Sequence, residues 1–374
     1  MNKQGIKKEE AGASGFRCII AGGGTGGHLF PGIAVAGELG KRFKNSEILF
    51  LVGKRRMETE ILSSYGYNVI SIDVEGIKGR GWGKGLAVLL KLPKSLFQSI
   101  GIIKKFSPSL VFGVGGYSSG PLCLAARFMG VPTAIHEQNS RPGVTNRLLS
   151  RFAGHIFISF EESRPFFKSG SVLLTGNPVR RELFSRSGIM RKKKGSFTIL
   201  VVGGSQGAQA VNEKFAEALE YLTAREKPPE VIHQTGETDY NRAVEDYRKK
   251  GIKGELSPFI KDMSSAYERA DLVVSRAGAT TIFELAALGK PSVLIPYPYA
   301  ADGHQEINAR SLVRVGGAEM ILQDELTGKG LACVLMKYMD DGMLLEAMGK
   351  KACVMGRRDA AEVIVDNLVE MIER

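Results

Sequence analysis

Short, nearly uninterrupted apolar runs alternate with longer amphipathic stretches along the whole chain. Runs at Phe16–Ala21, Ile48–Val52, Val69–Val74, Leu110–Val114, Thr133–His136, Ile156–Phe160 and Val172–Thr175 predict strands. The pattern restarts with Phe197–Val202, Val231–Gln234, Leu272–Ser275, Val293–Pro296 and Glu319–Leu322. Strands that read as continuous apolar runs are buried on both faces, which is the mark of parallel sheets covered by helices. A helix is expected from the first glycine loop through Phe43, and another from about Ala360 to Ile372. The break at Gly176-Asn177-Pro178 divides the chain. The expected organisation is a leader over 1–15, one unit over 16–178, a second over 179–356, and a last segment, 357–374, packing back on the first unit. The fold class is α/β, with two doubly wound, Rossmann-like units facing a cleft.

Composition narrows the class. With 374 residues, 43% apolar and 24% charged, the chain can bury two large cores. Its four cysteines are scattered, with no CxxC, which argues against a disulfide scaffold and a structural zinc and fits a reducing compartment. No apolar run approaches the ~18 residues of a membrane-spanning helix. The net charge of +12 is one-sided: residues 1–178 hold 23 basic and 11 acidic side chains, residues 179–374 hold 28 of each. Positions 76–136 carry eight basic residues and no acidic one. The first half is therefore expected to face an anionic partner.

Glycine loops end three strands. Gly22, Gly24 and Gly27 fit G-x-G-x-x-G; Gly115, Gly116, Tyr117 and Ser118 open a second loop; Gly203-Gly204-Ser205-Gln206-Gly207 forms a third. Such loops bring backbone N–H groups to a phosphate at a helix N-terminus, although a lone loop also reads as a tight strand–helix turn. The second strand ends in Gly53-Lys54-Arg55-Arg56, without the acidic residue that would hold an NAD ribose. His28, at the start of the first helix, is the best-placed general base near neutral pH; capping or packing is its alternative duty. Glu284 follows Ser275-Arg276-Ala277-Gly278-Ala279-Thr280-Thr281 into a helix, where its carboxylate could accept from two vicinal hydroxyls; the alternative is a solvent-facing glutamate. Gln305 and Asn308 lie one turn apart and can face one ligand, behind an Asp302 suited to capping. His136-Glu137-Gln138-Asn139 is a polar cluster at a strand end, with a buried network as its alternative. Trp82, Leu86, Leu89, Leu90, Lys91, Lys94 and Phe97 mix apolar, aromatic and basic character as a helix resting on anionic lipid does; a core helix with a charged outer face is the alternative. No nucleic-acid recognition pattern accompanies the charge.

The strings GGGTGGHLFPGIAVA, GGYSSGP, HEQNSRPGVTN, GNPVR, GGSQGA, SPFIKDM, SRAGATTIFELAALGKPSVLIPYP and DGHQEINA fall in order across residues 22–309. Together they closely resemble the MurG-type transferases of bacterial peptidoglycan synthesis. The resemblance covers nearly the whole chain. It implies a two-domain GT-B fold and inverting transfer of N-acetylglucosamine from UDP-GlcNAc to the 4-hydroxyl of MurNAc in undecaprenyl-pyrophosphoryl-MurNAc-pentapeptide (lipid I), forming lipid II. It also implies peripheral attachment to the cytoplasmic face of the cell membrane and leaves room for other cell-wall synthesis proteins as partners; nucleic acid is not expected, because no recognition pattern accompanies the charge. No cofactor or bound metal is implied, with room left for an assisting divalent cation.

Carried over by motif, Glu284 would hold the ribose, the backbone of Ile260 would read uracil, and Ser205 with Gln206 would meet the diphosphate. Gln305, Asn308 and the turn Ala279, Thr280, Thr281 would meet the sugar, with Thr25, Gly26, Gly27 and Asn139 reaching it from the first half. Arg180 would lie near the nucleotide at the hinge. Gly23, Gly24, Gly115, Gly116, Tyr117 and Ser118 would cradle the acceptor pyrophosphate. His28 would be the base, with Glu137 as its rival. Two other functions suit the same residues: a different enzyme on this scaffold, such as a UDP-GlcNAc 2-epimerase acting without an acceptor, and a basic binding module without catalysis.

Overall fold

The computed structural model describes residues 15–24, 26–72, 74, 82–168, 170–184, 196–204 and 207–373, without the side chains of 82–92. The first unit alternates β1 (Arg17–Ala21), α1 (Gly26–Arg42), β2 (Glu47–Val52), α2 (Arg56–Ser64), β3 (Asn68–Ser71), α3 (Trp82–Phe106), β4 (Leu110–Gly113), α4 (Ser119–Phe128), β5 (Thr133–Glu137), α5 (Val144–Leu149), β6 (His155–Ile158) and β7 (Ser171–Leu174). The second holds β8 (Thr198–Val202), α6 (Gln209–Thr223), β9 (Glu230–Gln234), α7 (Tyr240–Lys249), β10 (Glu255–Ser257), α8 (Met263–Arg269), β11 (Leu272–Ser275), α9 (Ala279–Leu288), β12 (Ser292–Leu294), α10 (His304–Arg314), β13 (Glu319–Met320), α11 (Gly328–Asp340) and α12 (Gly342–Ala352), and α13 (Ala360–Glu373) closes the chain.

Among the described residues the strands form two sheets, ordered β3-β2-β1-β4-β5-β6-β7 and β10-β9-β8-β11-β12-β13. Every pairing is parallel. In each sheet the order reverses beside its first strand, leaving a crevice at the carboxyl end. Side chains alternate across a strand, so one apolar run feeds two cores. Cys18 and Ile20 of β1 pack with Leu29 and Ile33 of α1, while Ile19 and Ala21 pack with Leu122 and Ala125 of α4. In β8, Ile199 and Val201 meet Phe215 and Leu219 of α6, and Leu200 and Val202 meet Ile282 and Leu285 of α9.

α13 does not stay with the second unit. Ile364, Val365 and Leu368 are buried in the cluster that holds Cys18, Leu29 and Phe157. Several strand limits differ from the periodic reading by one to three residues, and one strand is additional. β3 stops at Ser71, although the Ile72 amide still donates to Val52. β12 stops at Leu294, ahead of Pro296, which has no N–H for a ladder. β10 is absent from that reading, because Glu255-Leu256-Ser257 offers one apolar residue and no alternation.

Candidate active site

The carboxyl-end loops of both sheets meet. Thr280 Oγ1 donates to Gly27 O at 3.1 Å, so the N-terminus of α9 touches the turn that precedes His28. The Ser140 amide donates to Asn308 Oδ1 at 2.9 Å, and Asn308 Nδ2 donates to Asn139 Oδ1 at 3.2 Å. Asn139 and Asn308, both expected at the sugar, thus have their amides turned on one another; in this structure they clasp the halves together.

The first two glycine loops press against each other. Gly116 has φ +81°, and a Cβ there would lie 2.3 Å from the Gly23 carbonyl oxygen, so a side chain would fail both by strain and by collision. Ser118 is buried with its hydroxyl unpartnered, and Tyr117 is exposed beside it. The Gly24 amide, expected at the acceptor pyrophosphate, donates instead to Glu58 Oε1, and Arg55 donates to the Gly24 carbonyl. Glu58, only 1% exposed, was not visible as a site residue: within Arg56–Ser64 it reads as an ordinary helical glutamate. Burial raises its pKa, opposed by the Gly24 amide, Arg55 and His28. Gly23, Gly24, Gly115 and Gly116 do gather at one place, but one of their amides is held by the protein's own anion.

His28 is half-buried on the first turn of α1, with Nδ1 2.9 Å from Gln138 Oε1. Burial lowers its pKa, while the Gln138 bond, the nearby Val114 carbonyl and the charge of Glu58 oppose that shift. The ring is therefore neutral at pH 7, as a base must be. Glu137 differs. It is 2% exposed, and its two oxygens accept from the Asn139 amide and Nδ2, the Gly143 amide and Asn146 Nδ2. Four donors leave no oxygen for a substrate proton. The rival-base assignment is corrected: Glu137 shapes the turn that carries Gln138, Asn139 and Ser140.

In the second half, Glu284 is 5% exposed and accepts from Arg180 Nη2 at 3.1 Å and from the Tyr267 hydroxyl at 3.0 Å. Burial raises its pKa, and Arg180 and Tyr267 pull it back. Arg180 also stacks on Phe30, 3.9 Å from the ring centroid, and donates to the Tyr65 hydroxyl, so one guanidinium joins both halves. The amide of Ile260, whose backbone is expected at uracil, donates to Gln234 Oε1 at 3.0 Å and so is taken within the protein. Gln305 Oε1 accepts from the Tyr297 amide at 2.9 Å. Gly278 precedes α9 without a side-chain cap, so the first amides of that helix, at Ala279, Thr280 and Thr281, have no intrahelical partner. His304, next to Gln305, holds Nδ1 2.7 Å from the Ala301 carbonyl. Thr25, Ser205 and Gln206 lie outside the described residues, as do the side chains of Trp82, Leu86, Leu89, Leu90 and Lys91 and residues 1–14 of the expected leader. Lys94 and Phe97 are both exposed on α3, Phe97 by 74%.

Residues 18–158 match the glycosyltransferase family 28 N-terminal domain, and residues 198–364 match its C-terminal domain. A UDP-N-acetylglucosamine–N-acetylmuramyl-(pentapeptide) pyrophosphoryl-undecaprenol N-acetylglucosamine transferase of Syntrophus aciditrophicus is 46% identical over 95% of this chain and 99% of its own. A protein of the same name from Myxococcus xanthus is 44% identical over 96% of this chain and 93% of its own. The crystal structure of Acinetobacter baumannii MurG superposes with TM-score 0.74 at 30% identity, covering 96% of this chain and 100% of that one. A UDP-bound structure of Staphylococcus aureus MnaA aligns with TM-score 0.69 at 15% identity over 96% of this chain and 98% of its own, which shows a common fold alone.

Proposed function

The chain belongs to glycosyltransferase family 28, among the N-acetylglucosamine transferases that act on undecaprenol-linked N-acetylmuramyl-pentapeptide, and on that premise we propose how its own residues carry the reaction. It moves N-acetylglucosamine from UDP-GlcNAc to lipid I and so makes lipid II. The acceptor 4-hydroxyl attacks C1 from the face opposite UDP, which inverts the anomeric centre. Its proton goes to His28. The C1–O bond to the diphosphate breaks, and the electron pair leaves with UDP.

The charge that grows on UDP falls to the uncapped N-terminus of α9, where the amides of Ala279, Thr280 and Thr281 point outward. A donor pre-placed for a developing charge is typically worth ~3–4 kcal/mol. Glu284 takes the ribose hydroxyls, Ile260 the uracil, and Gln305 the sugar, with Gly26 and Gly27 closing from the first half. The acceptor pyrophosphate lies over Gly115, Gly116, Tyr117 and Ser118, where a buried hydroxyl waits for a partner. The bond from Thr280 to Gly27 carries this reading, since it joins the donor helix to the turn that bears the base. Mixing the protein with UDP-GlcNAc and lipid I is expected to add one N-acetylglucosamine unit to the acceptor by mass, with UDP released only when acceptor is present. Acceptor-independent UDP release, or an epimerised sugar, would favour the other reading of this scaffold.

The acceptor's lipid tail calls for a membrane surface. No described helix is long and apolar enough to cross a bilayer. Phe97 stands 74% exposed on α3, and Phe128, 73% exposed, follows Arg127 on the neighbouring α4. Exposed aromatics among cations suit peripheral attachment to anionic lipid, which the cytoplasmic leaflet supplies. Replacing Phe97 and Phe128 by serine is expected to weaken sedimentation with anionic vesicles and to spare turnover of a short-chain, soluble acceptor. Unaltered vesicle binding would remove these helices from the contact.

A further inference from the structure

Gln138, 1% exposed after β5, has its amide held from three sides. Nε2 donates to the Val114 carbonyl at 2.8 Å, and it lies 3.0 Å from Nδ1 of His136. Oε1 lies 2.9 Å from Nδ1 of His28. A carbonyl can only accept, so the end of the amide that faces Val114 must be the NH2 group. The end facing His28 is then the oxygen, and an oxygen there requires the proton on Nδ1. In the neutral ring the lone pair is thereby left at Nε2. The same logic sets His136. Its Nδ1 accepts from Gln138, and its Nε2 donates to the Gly176 carbonyl at 3.2 Å. Burial pushes His136 down to about 4, so that ring stays neutral throughout.

We propose that Gln138 is a positioning residue of the transfer reaction: it fixes His28 as the Nδ1–H tautomer, aims Nε2 at the acceptor hydroxyl, and accepts from the imidazolium once the proton has arrived. The proposal rests on the reading of His28 as the base. Gln138 itself moves no proton. The hydroxyl proton passes to Nε2, the O–H pair forms the bond to C1, and the C1–O pair leaves with UDP. Gln138 thus does with a neutral dipole what a carboxylate does behind other catalytic histidines. The row Gly176, His136, Gln138, His28 also starts in the segment that joins the two halves, so the setting of the base is tied to that hinge.

Three measurements test this. In the wild-type protein, 15N spectra of the five histidines, with His28 assigned by its loss in a His28→Asn variant, are expected to show it protonated on Nδ1 and bare at Nε2. The opposite tautomer would overturn the proposal whatever any variant does. Gln138→Leu is expected to lower kcat by about 10- to 100-fold, within the range a general base supplies, with the UDP-GlcNAc KM nearly unchanged. Its acid limb of activity should move to lower pH, since the imidazolium loses an acceptor. Gln138→Glu should move that limb to higher pH, because a carboxylate favours the cation. The other titratable groups acting on His28 are Glu58 of α2, His136 of β5 and His304 of α10, and both variants leave them in place. A residue that served packing alone would not drive the limb in opposite directions. The two ideas fail separately: an active His28→Ala variant removes the base assignment, whereas an inactive one with His28 protonated on Nε2 removes Gln138 alone.

Discussion

His28→Ala is expected to lower kcat about 10²- to 10⁴-fold, the usual contribution of a positioned general base, while the KM for UDP-GlcNAc stays within about twofold. The split follows from where the groups stand. The nucleotide's proposed partners, Glu284, Ile260 and the α9 amides, all lie in the second half, and His28 stands across the cleft on α1. Losing the imidazole removes an interaction made as the hydroxyl loses its proton, so kcat falls and donor binding does not. The pH dependence has a definite sign. His28 acts unprotonated, and burial has lowered its pKa from the ordinary value. Activity should therefore be flat around neutrality and fall as pH drops through that lowered value. An acid limb lying above the ordinary histidine range would argue for another base. Steady-state rates for wild type and variant, with saturating lipid I, decide the matter.

Glu284→Ala is expected to act twice. Charge-assisted hydrogen bonds to ribose of about 1.5–3 kcal/mol correspond to a rise of roughly 10- to 150-fold in the UDP-GlcNAc KM. The same change strands Arg180, which is 8% exposed, without its counter-ion. Removing one partner of a buried pair typically costs ~3–5 kcal/mol of stability, readable as a lower denaturant midpoint. Replacing Arg180 and Glu284 together by methionine separates the two effects. Stability should largely return, because well-packed apolar groups can replace a buried ion pair, whereas donor affinity should not. Recovery of both would show that Glu284 holds the halves together and has no part in nucleotide binding.

How much of this was readable beforehand depends on distance along the chain. β1 and β8 announce themselves because each feeds two cores and can spare no polar residue. The glycine loops were visible for a related reason, since backbone pressed against backbone, as at Gly23 and Gly116, tolerates no Cβ. Glu284 and Arg180 were both recognisable by motif, yet nothing local pairs side chains 104 residues apart. Glu58 is not legible as a site residue because Arg56–Ser64 looks like any surface helix, and only folding lays it under Gly24. The cluster at 136–139 was legible as polar, but its division of labour was not. Glu137, Gln138 and Asn139 are neighbours in sequence, and they turn respectively to a loop, a histidine and the other half of the molecule.

The position of α13 has a consequence for biosynthesis. The half that leaves the ribosome first lacks part of its interior until the whole of the second half has been translated, because Ile364, Val365 and Leu368 come last. During that interval the apolar flank of α1 stays open, and nascent chains in this condition are prone to premature association. Completion of the first half's core thus waits on translation of α13, on the far side of the second half in the chain.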